Sequence, residues 1–160
     1  HGTNCVVDKI DLNKCRPYKD FGRGFYLTTI KEQAEKMAQR VSKIYGGKPV
    51  VNVFRYDSVV DKEINVKIFD APTEEWARFV INNRNGEKSV GDNNSNNKYD
   101  IVIGPVANDD LALLFRQFSN GMIEIDTLIR EMKYKKLTDQ YSFHTERALR
   151  FLTKESDYNV

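Results

Sequence analysis

The stretch Asp20-Phe21-Gly22-Arg23-Gly24-Phe25-Tyr26-Leu27-Thr28-Thr29 constrains the fold of this chain most. Two glycines bracket one arginine, and glycine permits positive φ and a close backbone approach. The residues that follow are aromatic and β-branched, as strands prefer. Alternation sets Phe25, Leu27 and Thr29 on one face and Tyr26 and Thr28 on the other. A glycine-flanked turn thus feeds a strand that aims Tyr26 to one side.

Around this stretch the patterning alternates between strand and helix. His1 to Val7 reads as a strand, and Asp8 to Asp20 as a polar connection. Ala34, Met37, Ala38, Val41 and Tyr45 recur at helical spacing, with Thr28 or Thr29 as the cap and Gly46-Gly47 as the stop. Pro49 to Tyr56 predicts a strand, and Val60 to Phe69 a looser one. Ala71 to Asn83 predicts a helix with Trp76, Phe79 and Val80 buried. Asn82 to Lys98 is rich in asparagine and predicts a flexible surface loop.

Tyr99 to Val106 carries the continuous apolar run Ile101-Val102-Ile103, which predicts a strand covered on both faces. Asn108, Asp109 or Asp110 caps the next helix, with Leu111, Leu114, Phe115 and Phe118 as its stripe. Ile123 to Tyr134 is a further helix with a basic end, Arg130 to Lys136. Gln140 to Thr145 reads as the last long strand and Glu146 to Leu152 as a terminal helix. Strands scattered among helices without β-α-β regularity predict an α+β fold with mainly antiparallel sheets.

The 160 residues suit one domain, spanning 1–160. No stretch approaches the ~20 apolar residues of a membrane span, and no leader-like n-region and h-region open the sequence. A cytoplasmic protein with no membrane contact is expected. Cys5 and Cys15 supply neither a disulfide framework nor, with two histidines, a metal site. A net charge of +2 gives no indication of nucleic-acid binding.

Three motifs stand in order: His1-Gly2-Thr3, then Phe21-Gly22-Arg23-Gly24-Phe25-Tyr26, then Asp139-Gln140-Tyr141. This arrangement resembles the H-Y-E pattern of ADP-ribosyltransferases, closest to the poly-ADP-ribose-polymerase and diphtheria-toxin branch. There the pattern reads H-G-[ST], F-G-x-G-x-Y and N-E-Y. With Ile103-Gly104-Pro105-Val106-Ala107 and Phe143-His144-Thr145-Glu146-Arg147-Ala148-Leu149, the chain further resembles an uncharacterised bacterial family, domain of unknown function 3990.

The resemblance implies a split β-sandwich with flanking helices, NAD as substrate and no metal. It implies that His1 bonds the adenosine-side ribose, that the Gly2 backbone holds the nicotinamide carboxamide, and that Thr3 adds its hydroxyl. Tyr26 would stack on nicotinamide, Gln140 would bond the 2′-hydroxyl of the nicotinamide ribose, and Phe21, Gly22, Gly24 and Phe25 would shape the pocket. Met37 falls where that branch has an aromatic closing over nicotinamide; core packing is its other reading. Asp8 to Asp20 would lie across the site as a lid.

Two positions depart from the pattern. Ala34 replaces a serine that bonds the amide, and Gln140 replaces the glutamate. A glutamine amide can bind a hydroxyl but cannot ionise, so it cannot act as a general base. The implied activity is therefore transfer of a single ADP-ribose to a good nucleophile on a macromolecule. A bacterial toxin or effector with a protective antitoxin partner fits this. The alternatives are an NAD- or protein-binding module that has lost the chemistry, and an NAD glycohydrolase. His144 shares a strand face with Gln140 and is expected to be structural.

Overall fold

The computed structural model describes residues 1–58, 62–133 and 137–160. It is an α+β protein with mainly antiparallel sheets. The elements run β1 (Gly2–Thr3), β2 (Phe25–Thr28), α1 (Lys31–Tyr45), β3 (Val50–Tyr56), β4 (Val66–Ile68) and α2 (Glu74–Asn85). They continue with β5 (Ile101–Pro105), α3 (Asp109–Ser119), α4 (Ile125–Met132), β6 (Asp139–Phe143), α5 (Glu146–Leu149) and β7 (Leu152–Asn159). One sheet has the order β1-β3-β7 and is antiparallel throughout. The other has the order β2-β6-β5-β4, with one parallel pair, β4 beside β5.

Three apolar layers hold these parts together. Ala34 and Ala38 of α1 pack on Val51 and Val53, covering the outer face of the three-stranded sheet. Leu27, Ile101, Tyr141 and Phe143 meet Tyr56 and Leu152 between the two sheets. Trp76, Phe79 and Val80 of α2, with Leu111, Phe115, Leu128 and Met132 from α3 and α4, pack on Val102 and Phe21. Ile101 and Val102 therefore point into different layers, as the continuous apolar run predicts. Asn108 caps α3 by accepting the Leu111 N–H at 3.1 Å. Cys5 and Cys15 are free thiols.

Several expectations change. The chain does not end in a helix: α5 stops at Leu149, and the longest strand, β7, follows and pairs along the whole of β3. At the start, β1 covers only Gly2 and Thr3 of the predicted His1–Val7 strand. Ile30, not a threonine, stands at the N-cap of α1 and makes no side-chain cap bond; Thr28 Oγ1 accepts the Ile30 N–H at 3.2 Å instead. Met37 and Tyr45 are 45% and 55% exposed, so the buried stripe of α1 narrows to the two alanines. A helix lying this close to a sheet leaves room for little more than a methyl group.

The asparagine-rich stretch begins inside α2 and is bonded to the fold by its own amides. Asn83 Oδ1 accepts the Asn94 N–H, while Asn94 is buried and bridges to the backbone of Tyr99 in both directions. Val60 and Asp61 of the predicted strand, Tyr134 of the predicted helix and Lys135–Lys136 of the basic stretch lie outside the described residues.

Candidate active site

The first two motifs meet where the sheets come together at their edges. β1 and β2 are edge strands of different sheets. His1 crosses between them, its Nδ1 lying 2.8 Å from the Tyr26 carbonyl oxygen. A carbonyl only accepts, so Nδ1 carries a proton, which leaves Nε2 as the acceptor whenever the ring is neutral. The His1 ring also packs on Phe25, with centroids 4.4 Å apart, and Phe25 packs edge-on against Phe54 of β3.

The ladder beside His1 sets the direction of Gly2. His1 N donates to Asn52 O at 2.9 Å and Asn52 N donates to His1 O at 2.8 Å. Bonded and unbonded pairs alternate in an antiparallel ladder, so Gly2, opposite Val51, directs its N–H and C=O off the open edge. Its α-carbon faces α1, where an added Cβ would lie 1.9 Å from Ala34 O. Thr3 Oγ1 donates to Asn4 Oδ1 at 3.4 Å.

β2 pairs with β6 so that Tyr26 stands opposite Ser142 and Thr28 opposite Gln140. Tyr26 and Gln140 thus share a sheet face and lie on a diagonal, roughly 7–8 Å apart at Cα. This is the face toward α2. The His1 ring lies on the other face, with Phe25. The backbone contact joins His1 to Tyr26, but the two rings project to opposite sides of β2.

The Tyr26 hydroxyl closes the glycine turn. It donates to Gly22 O at 2.7 Å and accepts the Phe21 N–H at 3.0 Å. Gly22 has φ +94°, which a larger side chain would strain. Burial, then the charge of Asp20, pushes the Tyr26 phenol well above its ordinary value. It is a neutral donor and acceptor near pH 7. Phe21 is fully buried against Tyr26, Phe69 and Phe79, so it forms core beneath the strand. Gly24 lies against the His144 ring.

Gln140 is 9% exposed, and its amide nitrogen donates to Asp20 Oδ2 at 2.9 Å. Asp20 also accepts Arg84 Nε and Nη2 and the Ala107 N–H. Beside this cluster, Thr28 Oγ1 donates to Gln33 Oε1, and Gln33 Nε2 donates to Thr138 Oγ1. Sequence reasoning passed over Asp20, Arg84 and Gln33. Asp20 stands inside the motif stretch, but its partner on β6 is 120 positions away, and no spacing rule links the two.

Two surface cavities of about 450 and 370 Å³ lie under the connection before β2. Glu146 lines both, with Lys9 and Lys14 in one and Arg23 and His144 in the other. His1, Tyr26 and Gln140 line neither. Among the described residues no group of three or more His, Cys, Asp or Glu could hold a metal, and no helix is long and apolar enough to cross a membrane.

The fold defines a two-sheet α+β protein whose edge strands meet at a histidine. Residues 1–153 match the family described as "Protein of unknown function (DUF3990)", and the chain belongs to that family. No curated protein and no solved structure matches it.

Proposed function

We propose that this chain is an NAD-dependent mono-ADP-ribosyltransferase of the split β-sandwich type, working at the seam between β1 and β2. One observation carries this reading. Three motif residues far apart in sequence lie on neighbouring strands: His1 is bonded to the Tyr26 backbone, its ring on the opposite face of β2, and Tyr26 is diagonal to Gln140 on paired strands.

The free edge of Gly2 and the Nε2 acceptor of His1 suit a carboxamide and a ribose hydroxyl. In the reaction the bond between nicotinamide nitrogen and ribose C1′ breaks. Nicotinamide leaves with the electron pair, and the acceptor's nucleophile bonds C1′ and gives up its proton to solvent. Positive charge grows on the ribose, and Gln140 Oε1, the acceptor end of an amide whose nitrogen is held by Asp20, faces it. Because Gln140 cannot take a proton, the acceptor must be a good nucleophile unaided. Met37, exposed one turn along α1 from Ala34, is available to cover the nicotinamide. The acceptor is a macromolecule, and the chain serves as a bacterial toxin or effector, restrained by an antitoxin protein.

A second reading, a binding module without turnover, is favoured by the way the Tyr26 hydroxyl and the Gln140 nitrogen are already bonded within the fold. Nicotinamide release from NAD by the purified protein, with Tyr26→Ala as control and circular dichroism to establish folding, separates the two. Release abolished by the substitution supports the transferase. NAD binding without release supports the module. Release without labelling of any macromolecule points to a glycohydrolase.

A further inference from the structure

Gln140 occupies the position where the resembled pattern carries glutamate, yet a carboxylate stands beside it. Gln140 Nε2 lies 2.9 Å from Asp20 Oδ2. A carboxylate only accepts, so the amide has one orientation, nitrogen toward Asp20 and Oε1 away from it. Asp20 cannot swing to follow a ligand. Arg84 Nε and Nη2 hold its Oδ1 at 3.0 and 2.8 Å, and the Ala107 N–H holds Oδ2 at 3.2 Å. Arg84 is in turn tied to Ala107 O at 3.2 Å.

Among the described residues Gln140 Oε1 has no hydrogen-bond donor. Ser42 Oγ is the only buried side-chain polar atom among them that lacks a partner. Gln140 Oε1 therefore keeps access to solvent.

We infer that Asp20 is a positioning residue: it locks the Gln140 amide so that position 140 presents an acceptor alone, selecting a ligand hydroxyl that donates. The identity of that hydroxyl as one of the NAD ribose rests on the proposed function; the lock does not. A carboxylate thus stands behind the amide, supplied by the turn before β2 and not by position 140. A glutamate at 140 would meet Asp20 carboxylate to carboxylate, and two such groups in contact cannot both ionise freely.

The test is a three-variant set: Asp20→Asn, Gln140→Glu, and both together. In Gln140→Glu the folded-state pKa of the new carboxyl is raised above its unfolded value. Its unfolding midpoint should therefore fall, relative to wild type, as pH rises from about 5 to 8. The double variant, in which an amide again faces a carboxylate, should recover the wild-type profile. In nicotinamide release, Asp20→Asn should lower kcat by roughly 10- to 150-fold, the worth of one charge-assisted hydrogen bond. The double variant should regain most of that loss.

A Gln140→Glu midpoint that tracks wild type across this range, or a double variant no better than the singles, overturns the lock. A wild type that releases no nicotinamide while the stability pattern holds refutes the transferase reading and leaves the lock standing. Turnover by wild type that Asp20→Asn leaves unchanged does the reverse.

Discussion

His144 Nδ1 lies 2.7 Å from the carbonyl oxygen of Arg23, tying the end of β6 to the turn before β2. Nδ1 therefore carries the proton. Nε2 faces Ser142 Oγ at 2.9 Å, and that hydroxyl lies 2.9 Å from Val102 O as well. Burial pulls the His144 pKa from 6.5 to about 4, against the raising effects of Arg23 O and Asp100. A base with a depressed folded pKa contributes stability that is full above its unfolded value and is lost as pH falls toward the folded one. The loss spans pH 6.5 to about 4 and amounts to roughly 3 kcal/mol for one proton. His144→Gln should be less stable near pH 7 but should lose about one proton from the slope of stability against pH. Denaturant titrations at several pH values across the window measure both, and a variant slope equal to wild type would contradict this account.

Asp100 is the second buried anchor of the same corner. Its carboxylate accepts Arg147 Nε at 2.6 Å and Nη2 at 2.8 Å, the Thr145 hydroxyl at 2.6 Å and the Asn65 N–H at 2.8 Å. Burial raises its pKa, but these bonds outweigh burial and hold it below its ordinary value. Its contribution is present above the unfolded carboxyl value and lost as pH falls through the folded one. Asp100→Ala strands four donors and should cost about 3 kcal/mol, lowering the unfolding midpoint by roughly 6–12 °C. Differential scanning calorimetry at neutral pH reads this directly.

Local signals were legible where chemistry acts over a few residues. Phe79 and Val80 announced the buried face of α2, and Asn108, Asp109 and Asp110 narrowed the cap of α3 to three neighbours of which Asn108 fills it, because helix periodicity and capping are short-range. β7 was not legible. Its residues are half-exposed and mostly polar, as an edge strand tolerates, while Ala148, Leu149 and Leu152 mimic helical spacing. The width of the buried stripe of α1 was not legible, because the closeness of α1 to Gly2, which only the fold sets, decides which stripe residues are covered. His1, Tyr26 and Gln140 carry the resemblance in the sequence, and the strand pairing that makes them neighbours is set by the fold. The hydroxyl bond from Tyr26 to Gly22 and the Asp20–Gln140 pair were not, since each depends on how strands and turns meet.

Gly2→Ala tests how tightly α1 closes on β1. The new methyl would lie 1.9 Å from Ala34 O and 2.7 Å from Ala38 N, both backbone atoms that cannot rotate away. The helix must lift, opening the Ala34, Ala38 and Val51 layer. A loss of about 2–3 kcal/mol is expected, in the range of overpacking a core. Under the proposed function NAD affinity falls as well, because the edge N–H and C=O of Gly2 shift with the strand. Calorimetric NAD titration at a temperature where the variant stays folded separates the two effects. Unchanged stability would mean that α1 does not rest on Gly2.

Tyr26→Phe separates the ring from the hydroxyl. Under the proposed function the ring takes the nicotinamide, whereas the hydroxyl serves Gly22 O and the Phe21 N–H. Removing the oxygen strands one donor and one acceptor in a partly buried turn. It should cost about 2 kcal/mol, or roughly 4–8 °C in the unfolding midpoint. Nicotinamide release, measured well below that midpoint, should stay within a few-fold of wild type, since stacking needs only the ring. Tyr26→Ala should abolish release. If the phenylalanine variant is as inactive as the alanine variant while still folded, the reaction depends on the turn that the hydroxyl holds, and the stacking role fails.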